Sequence, residues 1–136
     1  YERKYGIRFM LAWGMTETTP IATVTSLKST LLDLPEQDRW NLMARHGFPL
    51  AGVDIRIVDE SGQDQPWDGI TMGELQVRGP WITSGYYNDP RGTERGANES
   101  FFDGWFRTGD VATIDPEGYI QIMDRTKDLV KSGGEW

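Results

Sequence analysis

An α+β fold, mainly β, is predicted by three observations. Between residues 47 and 123, short apolar runs alternate with a period of two. Turn residues separate them, and the chain holds 16 glycines and 7 prolines among 136 residues. Upstream lie a strand-then-loop segment and one stretch with helix-end signals. Together these describe a strand, a loop and a single helix leading into a small antiparallel barrel or curled sheet.

The elements follow in order. Residues 7–12 (I-R-F-M-L-A) form an apolar run that reads as a buried strand. It delivers the loop G-M-T-E-T-T-P at residues 14–20, the place where α/β enzymes set ligand groups. Trp13 offers a flat face, Thr16 a hydroxyl and Glu17 a hard oxygen ligand. The same loop also reads as an ordinary polar turn stopped by Pro20. Residues 21–34 carry no recognisable chemistry. Residues 35–46 read as a helix with Pro at its first turn and Glu36 and Asp38 near its positive end. Its expected apolar face is Trp40, Met43 and Ala44. The single histidine, His46, reads as a helix-end cation or cap.

From Gly47 onward Val53, Ile55 and Ile57 alternate with Asp54, Arg56 and Val58. Residues 73–78 form a second strand with Leu75 and Val77 on one face. Residues 88–100 are irregular and rich in glycine and charge. A hairpin closes the pattern: residues 111–114 and 119–123 are β-prone, and D-P-E-G at 115–118 supplies the turn. Thr108-Gly109-Asp110 opens this hairpin and Asp124-Arg125-Thr126-Lys127-Asp128 closes it, which brings Asp110 and Arg125 to one mouth of the sheet. A carboxylate only accepts hydrogen bonds, so Asp110 suits a vicinal diol such as a ribose. A surface hairpin with solvated charges is the other reading of the same residues.

Composition excludes several classes. Fourteen basic against 21 acidic residues give a net charge of −7, which argues against a nucleic-acid footprint. Without cysteine there is no disulfide framework, thiolate nucleophile or Cys-bound zinc. No apolar run approaches the roughly 18 residues of a membrane-spanning helix. The first residues lack the apolar core of a signal peptide. With no initiator Met and a last residue just past G-G-E, the sequence reads as a piece of a longer protein.

The order F-R-T-G-D, hairpin, D-R-T-K-D-L-V-K-S-G-G-E resembles the adenylate-forming superfamily of acyl-CoA synthetases, luciferases and peptide-synthetase adenylation domains. A second match, W-G-M-T-E-T at residues 13–18, resembles that superfamily's aromatic-G-x-T-E loop. G-E-L-Q-V-R-G-P followed by G-Y-Y-N resembles a third, mainly structural, pattern. The details look most like the medium- and long-chain fatty acyl-CoA synthetases.

The resemblance implies an enzyme that uses ATP, Mg²⁺ and CoA to turn a fatty acid into acyl-AMP and then acyl-CoA. It implies nucleotide contacts at Trp13 (adenine), Thr16 (phosphate), Asp110 and Arg125 (ribose), a magnesium link at Glu17, and a hinge at Lys127. Ser132, Gly133 and Gly134 would form a loop at the CoA channel. No phosphate loop and no late catalytic lysine are expected within these residues, so the fragment alone is expected to be inactive. The implied division is 1–46, the end of a large nucleotide-binding subdomain; 47–126, a small β-barrel subdomain; and 127–136, the start of a mobile C-terminal domain. The implied partners are small molecules, with a homodimer left open, and the expected location is the cytoplasm, with a membrane-peripheral position as the alternative. An aryl-CoA or carrier-protein ligase, or a non-catalytic β-barrel binding module, are the alternatives.

Overall fold

The computed structural model describes residues 1–88 and 100–126. Lys127, Ser132, Gly133 and Gly134 therefore lie outside the described residues, as do residues 89–99 of the irregular stretch.

Two antiparallel sheets carry the fold. The first has three short strands in the order β1 (Ala12–Trp13), β2 (Thr23–Val24) and β3 (Phe48–Pro49). The second has five strands: β4 (Asp54–Val58), β5 (Gly73–Arg78), β6 (Phe101–Phe102), β7 (Trp105–Ile114) and β8 (Ile120–Arg125). β7 is the spine. One edge pairs with β5, while the other pairs with β6 near its start and with β8 along the rest. The curled sheet is present, but among the described residues no pairing joins β4 to β6 or β8, so it does not close into a barrel.

The period-two reading holds along the core. Val53, Ile55, Ile57, Leu75, Val77, Phe106, Ala112, Ile114 and Ile120 are all buried in one cluster, which also takes in Trp13 and Ala22 of the first sheet. The hairpin turn is built as its residues dictate: Gly118 N–H donates to Asp115 O at 2.8 Å. Asp115 Oδ1 accepts from the N–H groups of Glu117 and Tyr119, both at 2.9 Å. Tyr119 is fully buried, edge-on to Phe48 at 5.4 Å between ring centres, with its hydroxyl donating to Ser26 O at 2.6 Å. Both faces of the hairpin are covered at this end.

The sheets are stitched together next to residue 46. His46 N–H donates to Ile120 O at 3.0 Å, and Ile120 N–H donates to Gly47 O at 2.8 Å. Backbone pairing and packing thus run across the division drawn at residue 46 from sequence.

Two expectations upstream need correction. Residues 7–12 do not form a buried strand: only Ala12 is in β1, and Ile7, Phe9, Met10 and Leu11 are exposed. Apolar character favours burial only where another element supplies cover. Here Leu11 O accepts from Thr25 N–H at 2.7 Å, while Arg8 and Phe9 contact Glu2 and the exposed Tyr1 rather than a covering element. The helix is also shorter than expected. After a one-turn α1 (Glu2–Tyr5), α2 covers Glu36–Met43, and none of its residues is buried. Trp40, meant for its apolar face, is 38% exposed and donates along the helix to Glu36 Oε1 at 3.2 Å. Ala44 lies beyond the helix and is exposed. Trp40 and Met43 line an open groove with Met10, Leu27 and Leu32 rather than a core. No helix among the described residues is long and apolar enough to cross a membrane.

Candidate functional site

The T-G-D stretch forms a bulge. Glu74 of β5 faces Val111, and Gln76 faces Arg107, so Leu75 alone stands opposite Thr108, Gly109 and Asp110. Thr108 locks it, donating its hydroxyl to Leu75 O at 2.8 Å and accepting from Asp110 N–H at 3.1 Å. Gly109 supplies the left-handed residue the bulge needs, at φ +73°. The effect is to turn Asp110 out of regular alternation toward the first sheet.

There it meets Trp13. The indole Nε1–H donates to Asp110 Oδ2 at 2.8 Å, a buried bond between residues 97 apart in sequence. On β8, Arg125 stands directly opposite Asp110, with Nε 3.4 Å from Oδ1. The structure thus brings together three of the residues singled out from sequence. A carboxylate offers about four acceptor positions. Trp13 and Arg125 occupy one on each oxygen, and the carboxylate can accept two more hydrogen bonds.

Trp13 is placed by its neighbours. Ala22 N–H donates to Trp13 O at 3.0 Å, and the residue after it must be glycine, because a Cβ on Gly14 would stand 1.9 Å from Pro20 O. The loop then winds through a single 3-10 turn, Thr16–Thr18. The buried Thr18 hydroxyl ties it together, accepting from Met15 N–H at 2.8 Å and donating to Pro20 O at 2.9 Å. Thr16 is exposed at the start of that turn.

Glu17 is half-buried and bound to a different segment. Its Oε1 accepts from the Tyr86 hydroxyl at 2.7 Å, and its backbone carbonyl accepts from Thr83 N–H at 2.8 Å. Thr19 reaches the same segment, donating its hydroxyl to Trp81 O at 2.9 Å. Tyr86, part of G-Y-Y-N, had been read as structural. Nothing local in that tetrapeptide indicates a partner 69 residues upstream.

His46 was expected as a helix-end cation or cap, and it is neither. α2 ends at Met43, and the His46 side chain lies against β8, where Nδ1 accepts from Ile122 N–H at 3.2 Å. A nitrogen that accepts carries no proton, so the ring is neutral. Burial pushes the His46 pKa below its ordinary value, with the charge of Asp110 acting in the opposite direction.

The chain is similar to known proteins in sequence and in fold. The model of the AMP-binding enzyme family matches residues 1–87. The chain is 43% identical over 136 residues to a 3-methylmercaptopropionyl-CoA ligase of Ruegeria lacuscaerulensis, covering all of this chain and 24% of that one. It is 44% identical over 133 residues to a long-chain-fatty-acid–CoA ligase of Thermus thermophilus, covering 98% and 24%. Among solved structures, O-succinylbenzoate coenzyme A synthetase from Bacillus subtilis, in complex with ATP and magnesium ion, matches 98% of this chain and 25% of its own. The TM-score is 0.76 and the identity 30%. The chain spans about a quarter of the length of these relatives. With the family matched over more than half of its residues, the chain belongs to the AMP-binding enzymes.

Proposed function

We propose that these residues form part of the nucleotide site of an ATP-dependent acyl-CoA ligase that activates a fatty acid as acyl-AMP and passes it to CoA. The observation that carries this reading is the meeting of Trp13, Asp110 and Arg125, drawn from two distant signatures, in one polar cluster. In the first half-reaction the substrate carboxylate attacks the α-phosphorus of ATP and pyrophosphate leaves. In the second, the CoA thiol attacks the acyl carbonyl and AMP leaves. Catalysis of this kind depends on positioning and on meeting phosphate charge.

In this reading Asp110 accepts from the ribose hydroxyls, with Arg125 beside it, while Trp13, only 8% exposed, backs Asp110 rather than presenting the open ring face expected for adenine. The exposed Thr16 hydroxyl faces phosphate oxygens. Among the described residues no group of three or more His, Asp or Glu side chains could hold a metal. A lone carboxylate such as Glu17 nevertheless fits Mg²⁺, which takes one or two carboxylates and completes its shell with phosphate oxygens and water. When bound, the ion would neutralise charge on the phosphates. Residues 1–46 and 47–126 serve as the two sides of the nucleotide site in this scheme, with Lys127 as the hinge beyond them.

Purified full-length protein, given octanoate to palmitate with ATP and CoA, is expected to release AMP and pyrophosphate. Release of ADP and phosphate instead would overturn the proposal.

A further inference from the structure

Asp110 is 7% exposed, and its carboxylate is oriented by few groups. One is Trp13 Nε1–H on Oδ2 at 2.8 Å, and another is the looser Arg125 Nε at 3.4 Å from Oδ1. Most of the Arg125 side chain is in solvent, at 59% relative exposure, so that ion pair is weak and screened. The indole differs in each respect. It is 8% exposed, its backbone is held in β1, and it carries a single donor in one direction. Rotation of a carboxylate about its last bond is broad and roughly two-fold, so a carboxylate left alone samples many planes. A buried, directional donor selects one of them. The two remaining acceptor positions are then fixed in direction, as a pair of neighbouring hydroxyls requires.

We infer that Trp13 is a positioning residue for Asp110, and that its indole N–H sets how strictly the site demands a ribose over a deoxyribose. This rests on the reading of Asp110 as the acceptor for the nucleotide's hydroxyls. The role is separate from any stacking by the ring. Phenylalanine keeps a flat face and lacks the donor, so Trp13→Phe separates the two.

The test compares kcat/KM for acid-dependent pyrophosphate release by the full-length protein with ATP, 2′-deoxy-ATP and 3′-deoxy-ATP. Wild type, Trp13→Phe and Asp110→Ala are measured side by side. Wild type should prefer ATP over at least one deoxy analogue, and Asp110→Ala should abolish that preference. Trp13→Phe should reduce it about tenfold, mostly by lowering the value for ATP, because a donor to a charged group is worth roughly that factor or more. Equal losses on ATP and the deoxy analogues would mean that Trp13 only packs, and the inference fails while the ribose reading stands. A wild type indifferent to both hydroxyls, or an Asp110→Ala that keeps the preference, overturns the ribose reading itself. Should Trp13→Phe not fold, 3-benzothienylalanine at position 13 gives the same readout, since it replaces only the N–H by sulfur.

Discussion

The Tyr86 hydroxyl donates to Glu17 Oε1 at 2.7 Å, joining the G-M-T-E-T loop to the G-Y-Y-N segment. If Glu17 serves magnesium, Tyr86 fixes one oxygen and leaves the other to face the ion. Tyr86 is exposed, and a neutral donor to a carboxylate there contributes about 1 kcal/mol. Tyr86→Phe in the full-length protein should therefore raise the Mg²⁺ concentration for half-maximal pyrophosphate release about three- to fivefold, at saturating ATP. Binding of Mn²⁺ with a non-hydrolysable ATP analogue, followed by electron paramagnetic resonance, should weaken to match. An unchanged metal dependence would leave the bond with no part in metal binding.

Arg45 and Asp115 hold the hairpin against the first sheet. Arg45 Nη1 lies 2.8 Å from Asp115 Oδ2, while Asp115 Oδ1 caps two N–H groups of the turn. Asp115→Ala removes the ion pair and the cap together and should cost about 2–3 kcal/mol. Asp115→Asn keeps an acceptor for the turn and should cost about 1 kcal/mol. Calorimetry of the full-length variants should show the larger drop in Tm for Ala. Equal drops would locate the stabilisation in the charge alone.

The neutral His46 ring makes stability depend on pH. Its native pKa lies below the ordinary 6.5, so the unfolded chain binds the proton more readily. Stability from the neutral ring is fully present above pH 6.5 and is lost as the pH falls through the lower native value. Protonation also removes the acceptor for Ile122 N–H. His46→Gln, whose amide oxygen can accept from the same N–H, should flatten the fall in Tm between pH 7 and pH 5. A variant with the wild-type pH profile would show that His46 is not the titrating group.

What was legible in the sequence was local or periodic. Ile55 and Ile57, Leu75 and Val77, and the D-P-E-G turn each declare a face or a bend within a few residues, and all are found as read. Asp110 near Arg125 also followed, because the hairpin brings its two ends together. The register carried outward from the turn would set Asp110 against Asp124, and a one-residue shift between Val111 and Ala112 puts Arg125 there instead. Contacts between the sheets were not legible. The Trp13–Asp110 bond spans 97 positions and depends on the bulge at Gly109. His46 was misread because its partner is the backbone of β8, to which no local pattern points. Residues 7–11 were misread because apolarity states a preference for cover and not its source.

The bulge at Gly109 allows conformation to be separated from space. Its φ of +73° is left-handed, yet a Cβ built there would meet nothing within 4 Å. A Cβ therefore fits, and the first cost of substitution is the backbone's, about 1–2 kcal/mol for an L-residue in that region. Asparagine tolerates it better than alanine, and a β-branched residue tolerates it least. The series Gly109→Asn, Gly109→Ala and Gly109→Val should lower Tm progressively. Because relaxing the strain means moving the bulge, Asp110 should shift with it, and kcat/KM for ATP should fall in the same order, about tenfold or more for valine. Stability and ATP use would then be coupled through one φ angle. If Tm falls along the series while kcat/KM for ATP stays constant, the bulge only shapes the sheet and does not aim Asp110.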